Sequence, residues 1–147
     1  MGRILGMDVG TRRLGLAISD DVLVVALPLA VVRRAGLARD LDALARWLEG
    51  RDVTDVVVGL PLNLDGSPGK FAAEAQALGR KVAERFGLEL HFWDERMTTV
   101  AAERALLEAD VSRRRRRAVV DKVAATLILQ GFLDHRRSVV GGGAGPP

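Results

Sequence analysis

The sequence contains no cysteine, which removes disulfides, thiolate metal sites and cysteine nucleophiles together. It also lacks a long apolar run. The best candidate, Val22 to Val32, is interrupted by Pro28 and closed by Arg33 and Arg34, well short of the roughly 18 residues that a membrane span needs. Aromatic residues make up only 4% of the chain, so few platforms exist for reading single-stranded bases by stacking. A strand-like pattern starts at Arg3 and leaves no room for a signal peptide. The expectation is a cytoplasmic protein with no membrane partner.

What is present suits one compact α/β domain, since 147 residues at 48% hydrophobic content can bury a single core. The formal charge is only +3, but the bases are mostly arginine, whose planar fork grips phosphate and never loses its charge. Arg113, Arg114, Arg115, Arg116 and Arg117 stand in one run between Ser112 and an apolar stretch. Such a run is either a solvated basic segment or a phosphate clamp, and its place in the fold has to decide.

Hydrophobic periodicity orders the chain. Arg3 to Gly10 and Arg13 to Asp20 read as two strands, and the tight turn at Gly10-Thr11-Arg12 makes them an antiparallel hairpin. Val22 to Val32 reads as a third strand, rich in valine. Leu37, Leu41, Leu44 and Leu48 then switch to helical spacing, with a stop near Gly50. Asp55 to Pro61 is a short buried strand, and Asn63 to Gly69 a loop dense in turn formers. Phe71, Ala75, Leu78, Val82 and Phe86 mark a second helix ended by Gly87. Leu88 to Trp93 is a fifth strand. Thr98 or Thr99 can cap a helix over Val100 to Ala109, and a last helix runs from Ala118 to His135. The order βββ-α-β-α-β-α-α predicts an α/β fold with a mixed five-stranded sheet. Three antiparallel strands lead into two βα crossovers, with helices on both faces. The domain is expected over residues 1–137, followed by a flexible Gly/Pro tail over 138–147.

Acids in apolar surroundings locate the chemistry. Asp8 lies inside the first strand between Met7 and Val9, where a carboxylate is costly unless it is hydrogen-bonded, paired or on a metal. It either caps the Gly10 bend as an Asx turn or faces a ligand, for which Gly6 and Gly10 on the same face would leave space. Asp94 and Glu95 end the fifth strand, at the carboxyl edge where α/β sheets gather ligands. Alternation puts Asp94 with Leu90 and Phe92, and Glu95 with His91 and Trp93; either acid could instead pair with Arg96 or cap the next helix. Asp121 interrupts an apolar stripe running through Ala124, Ala125, Ile128 and Phe132. It is either an N-cap or an acid held over Asp8. Acids brought together repel one another and call for a cation, and oxygen ligands without cysteine favour Mg²⁺ or Mn²⁺. Two such ions would serve an in-line phosphodiester displacement. On that reading the arginine run before Asp121 becomes a clamp on the substrate backbone. Arg12, Arg13 and Arg96 are further candidates for phosphate contact. Asn63 and Asp65 either bond within their own loop or touch substrate.

Four blocks together resemble the YqgF/RuvX-type family: Gly6-Met-Asp-Val-Gly-Thr-Arg-Arg-Leu-Gly-Leu-Ala17, Val58-Gly-Leu-Pro-Leu-Asn-Leu-Asp-Gly66, Asp94-Glu-Arg-Met-Thr-Thr99 and Val120-Asp-Lys-Val-Ala-Ala-Thr-Leu-Ile-Leu-Gln130. They fall in the family's order and cover nearly the whole chain. The resemblance implies an RNase H-like fold related to the RuvC Holliday junction resolvases. It also implies a nuclease linked to junction resolution and to maturation of the 5′ end of pre-16S ribosomal RNA. By position, Asp8 matches the first-strand acid and Asp121 the last-helix acid. The middle acid falls in Asp94-Glu95. Glu95 is preferred because the related resolvases use a glutamate, although theirs stands on another strand. The implied partners are ribosomal RNA precursor, or branched or single-stranded DNA. A junction substrate would normally call for a homodimer carrying two sites.

Two other classes compete. Asp8-Val-Gly-Thr11 also fits the phosphate hairpin of actin-like and sugar-kinase ATPases, but those close two domains around a nucleotide and this chain holds one. No ATP binding is expected. The other is a nucleic-acid-binding ribosome-assembly factor without catalysis, distinguished by metal-independent binding in place of metal-dependent cleavage.

Overall fold

The computed structural model describes residues 2–97 and 113–144, and side chains in the final helix from residue 123 to 139. The chain begins as the sequence predicts. Strand β1 (Arg3–Val9) turns through Gly10 into β2 (Arg13–Ser19), and the Gly10 N–H closes the turn on the Arg13 carbonyl at 2.9 Å. Next come β3 (Ala26–Arg33), α1 (Leu37–Leu48), β4 (Val53–Leu60), α2 (Lys70–Phe86) and β5 (Glu89–Asp94). A short 3₁₀ turn (Glu95–Met97) follows, and the described chain ends with α3 (Arg113–Ala144). The five strands lie in the order β3-β2-β1-β4-β5. The β1–β2 and β2–β3 pairs are antiparallel, and β1–β4 and β4–β5 parallel. This is the mixed sheet predicted from the element order.

Alternation along the strands splits the core in two. Leu5, Met7, Leu16, Val56 and Val58 meet Leu44 of α1 and Leu78 and Val82 of α2 on one face. Ile4, Ala17, Val57 and Trp93 meet Ala125, Ile128, Leu129 and Leu133 of α3 on the other. Each face buries apolar surface that a single layer would leave in water.

The structure corrects two details. The third strand begins at Ala26, not at Val22. Asp20 Oδ1 accepts the N–H groups of Val24 at 2.7 Å and Val25 at 3.1 Å, and Leu23 takes a left-handed φ of 60°. A capped turn therefore overrides the β-propensity of the valines. The same bonds hold the Asp20 carboxyl below the ordinary carboxylate range. The last helix extends beyond the expected Ala118–His135 at both ends. Arginine is a strong helix former, which favours the basic run as opening turns, whereas nothing in the structure explains why Gly141 to Gly143 continue the helix. The helix expected over Val100 to Ala109, with its cap at Thr98 or Thr99, lies outside the described residues. Among those described, no helix is long and apolar enough to cross a membrane.

Candidate active site

Asp8 sits on the α3 face of the sheet, one residue beyond Met7, and is only 7% exposed. Met7 pairs with Val58 of β4, so extending the register by one residue sets Asp8 beside Gly59. Gly59 pairs in turn with Trp93 of β5. Glu95 lies two residues past Trp93, hence on the same face. Its side chain folds back over β4: a Cβ built on Gly59 would stand 2.8 Å from Glu95 Oε1 and 2.5 Å from Ile128 Cδ1. The absent side chain at Gly59 thus makes room for the Glu95 carboxylate. Adjacent strands are about 4.8 Å apart, so Asp8 and Glu95 occupy neighbouring tracks at the carboxyl ends of the parallel strands.

Gly6 has another purpose than the one expected. A Cβ there would meet Leu129 Cβ at 2.7 Å and the Ala125 carbonyl oxygen at 3.1 Å. The space belongs to α3, which presses on the sheet at this point, and not to a ligand. Along α3, Ile128 stands over Gly59 and the Phe132 ring lies 4.9 Å from that of His91. His91 pairs with Val57, two residues before Gly59 on β4. The helix therefore runs towards the amino ends of the parallel strands, and its earlier turns lie towards Asp8 and Glu95. Asp121 precedes Ala125 by one turn and Ile128 by two, but its side chain lies outside the described residues. The same holds for the side chains of Arg113 to Arg117, whose backbone opens α3.

Asp94 faces away from this pair. It binds Arg96 through three guanidinium contacts of 2.7, 3.0 and 3.1 Å and accepts the Arg96 N–H at 2.9 Å. These bonds hold the Asp94 carboxyl below its ordinary range and push the Arg96 guanidinium above its own. Arg96 also donates to the carbonyls of Asn63 at 3.4 Å and Leu64 at 3.3 Å. It therefore straps the loop after β4 to the end of β5. Within that loop Asp65 Oδ1 accepts the Ser67 hydroxyl at 2.6 Å and N–H at 2.9 Å, and Asn63 Nδ2 donates to Ser67 Oγ at 3.0 Å. Asn63 and Asp65 bond within their own loop, one of the two readings left open by the sequence.

Arg12 and Arg13 stand at the hairpin that follows Asp8, Arg12 exposed and Arg13 half-buried. The residues behind this hairpin carry no sequence signal. Arg34 donates to the Gly10 carbonyl at 3.1 Å and contacts Asp40 at 3.4 Å. Asp40, only 1% exposed, also accepts the Ala35 N–H at 2.8 Å. An acid at the opening of an amphipathic helix gives no outward sign of such burial.

A second cluster occupies the opposite end of the parallel strands, roughly 13 Å back along them. Asp55 of β4 and Glu89 and His91 of β5 bring one ligand atom each within 4.8 Å of one another, a group that could hold a metal ion. Asp55 accepts the Thr54 hydroxyl at 2.6 Å and lies 2.9 Å from His91 Nε2. Those bonds already satisfy a carboxylate buried at this depth. Nothing in the local sequence flags this cluster, because its members meet only across the β4–β5 pairing.

Known proteins resemble this chain over nearly its whole length. The family model described as RuvX, Holliday junction resolvase, matches residues 2–135. A relative from Moorella thermoacetica, bearing the name of a pre-16S rRNA nuclease, is 53% identical over 133 residues, 90% of this chain and 95% of the relative. A Myxococcus xanthus protein with the same name is 50% identical over 135 residues, 92% of this chain and 89% of its own. Among solved structures, Thermus thermophilus RuvC in complex with a Holliday junction substrate superimposes with a TM-score of 0.60 at 14% identity, covering 92% of this chain and 96% of RuvC. That likeness shows a common RNase H-like fold. The chain belongs to the RuvX family of nucleases.

Proposed function

We propose that this protein is a hydrolase that cleaves phosphodiester bonds in nucleic acid, using divalent cations held by Asp8, Glu95 and Asp121. The observation that carries the reading is the placement of Asp8 on β1 and of the Glu95 carboxylate over Gly59 of the adjacent β4, on one face at the carboxyl end of the sheet. The donors are hard oxygens with no sulfur among them, which fits Mg²⁺ or Mn²⁺. When bound, such ions supply an activated water and neutralise charge on the leaving oxygen. The protein's part is to hold Asp8 inside a strand and Glu95 across the gap at Gly59, with the backbone of Asp121 one turn before Ala125 on α3. Glu95 folds over Gly59 on the face that carries Asp8, whereas Asp94 turns the other way to Arg96, so we assign Glu95 as the middle ligand. Arg12 and Arg13, with Arg113 to Arg117, provide the positive charge that a polyanionic substrate needs.

The substrate we favour is the 5′ end of pre-16S ribosomal RNA, processed in the cytoplasm, as the names of the half-identical relatives suggest. The fold shared with a junction-bound RuvC motivates branched DNA as the second reading. Incubating the protein with labelled precursor RNA and four-way DNA junctions, with Mg²⁺, Mn²⁺ or chelator, tests both. Metal-dependent trimming of the RNA extension is expected. Symmetrical junction cutting by a dimer would instead establish the second reading, and metal-independent binding without cleavage would sink the nuclease assignment.

A further inference from the structure

The loop between β4 and α2 is braced far more firmly than an exposed connection requires. The Gly66 N–H closes a turn on the Asn63 carbonyl at 2.9 Å, and the Asn63 N–H bonds the Ser67 carbonyl at 2.9 Å. Gly66 adopts φ 87°, a conformation that few other residues take without strain. An isolated bridge joins Leu62 to Pro68, and Arg96 holds the Leu64 carbonyl from the end of β5. At the tip of this rigid turn stands Leu64, 99% exposed.

Single exposed apolar residues are ordinary, but Leu64 is not alone. Met97 follows the strap residue Arg96 and is 60% exposed, and Phe71, 47% exposed, lies in the first turn of α2 immediately after the loop. All three stand at the carboxyl end of the sheet, although Phe71 opens α2, which packs on the face opposite Asp8 and Glu95. Proteins that open or kink nucleic acids insert apolar wedges between base steps.

We infer that Leu64 is a wedge that packs against a nucleobase beside the scissile phosphate and unstacks it, with Arg96 fixing its position. The inference rests on the nuclease reading for the site but addresses how substrate is held. It makes Leu64 a specificity residue, needed where bases are paired or stacked and dispensable on an unstructured strand. Because Leu64 buries no surface, changing it removes no contact from the core.

The test uses the full chain, with 2-aminopurine at the single-strand/duplex boundary of an RNA hairpin bearing a 5′ extension, and a matching DNA flap. Fluorescence and affinity are read in Ca²⁺ and in chelator, so the signal does not depend on cleavage. Wild type is expected to raise the fluorescence, Leu64→Ala to lose most of the rise and bind roughly five- to tenfold more weakly, and Leu64→Phe to restore both. On an unstructured oligonucleotide Leu64→Ala should match wild type. A Leu64→Ala protein that keeps the full rise, or that weakens equally on structured and unstructured strands, overturns the wedge; so does a wild type that gives no rise. A leucine-dependent rise without Mg²⁺- or Mn²⁺-dependent cleavage would retain the wedge and defeat the nuclease reading. Cleavage indifferent to Leu64 would do the reverse.

Discussion

The parallel strands carry acids at both ends on the same face of one sheet, yet the two groups are built differently. At the amino end, Asp55 is enclosed by Thr54 and His91 at hydrogen-bond distance, and its neighbours supply the reason for its burial. At the carboxyl end, Asp8 and Glu95 come from strands separated by β4 and converge because Gly59 offers no side chain. The end we propose as reactive differs from the other in its surrounding architecture: strand termini, a hairpin bearing Arg12 and Arg13, a braced loop and the approach of the early turns of α3. The amino-end cluster lies beneath Phe132 and ties two strands together.

The contrast can be broken most severely at Glu95. Glu95→Gln preserves shape while removing charge, and should lower metal-dependent cleavage by about a hundredfold or more with little change in melting temperature. Gly59→Ala should also lower cleavage, because the atoms nearest the added methyl belong to the side chains of Glu95 and Ile128, which can shift and take the carboxylate with them. Gly6→Ala should act the other way. Its methyl meets Leu129 Cβ and the Ala125 carbonyl oxygen, which move only with the helix. A loss of about 1–3 kcal/mol in a denaturation experiment is expected, larger in proportion than any change in the rate of the folded fraction. Equal effects of the two glycine substitutions on stability would erase the distinction between packing and site.

At the amino end, His91→Ala leaves the buried Asp55 with Thr54 as its remaining partner among the bonds described. Stability should fall by about 1–3 kcal/mol, while cleavage per folded molecule is retained. The smallest effect concerns pH. Arg96 holds the Asp94 carboxyl below its ordinary value, so the folded-state pKa is lower than the unfolded one. The strap's contribution is then present above the unfolded pKa and disappears as pH falls through the folded one. Amide exchange in the loop from Asn63 to Gly66 should stay protected at neutral pH and open only in strong acid, and in Arg96→Ala it should already be open at neutrality.

Much of the fold and part of the site are legible in the sequence. The helical stripes of α1 and α2, the hairpin at Gly10 and the alternation that separates Asp94 from Glu95 all follow from local pattern, and four motif blocks point to the family. The start of β3 is not legible, because valine propensity is local evidence while the Asp20 cap is a specific geometry. The purpose of Gly6 is hidden as well, since a strand pattern does not tell which helix will lie across it. The Asp55–His91 pair leaves no trace in local sequence, being a contact across 36 residues that only the β4–β5 register creates.

Which end of the sheet is reactive is the central question, and two isosteric substitutions answer it. Asp8→Asn and Asp55→Asn should be compared for melting temperature and for Mg²⁺- and Mn²⁺-dependent cleavage of the same labelled RNA and DNA. The expected result is a folded Asp8→Asn protein slower by on the order of a thousandfold, beside an Asp55→Asn protein that melts earlier but still cuts. Wild-type cutting by Asp8→Asn, or loss of cutting in a fully folded Asp55→Asn, would contradict it.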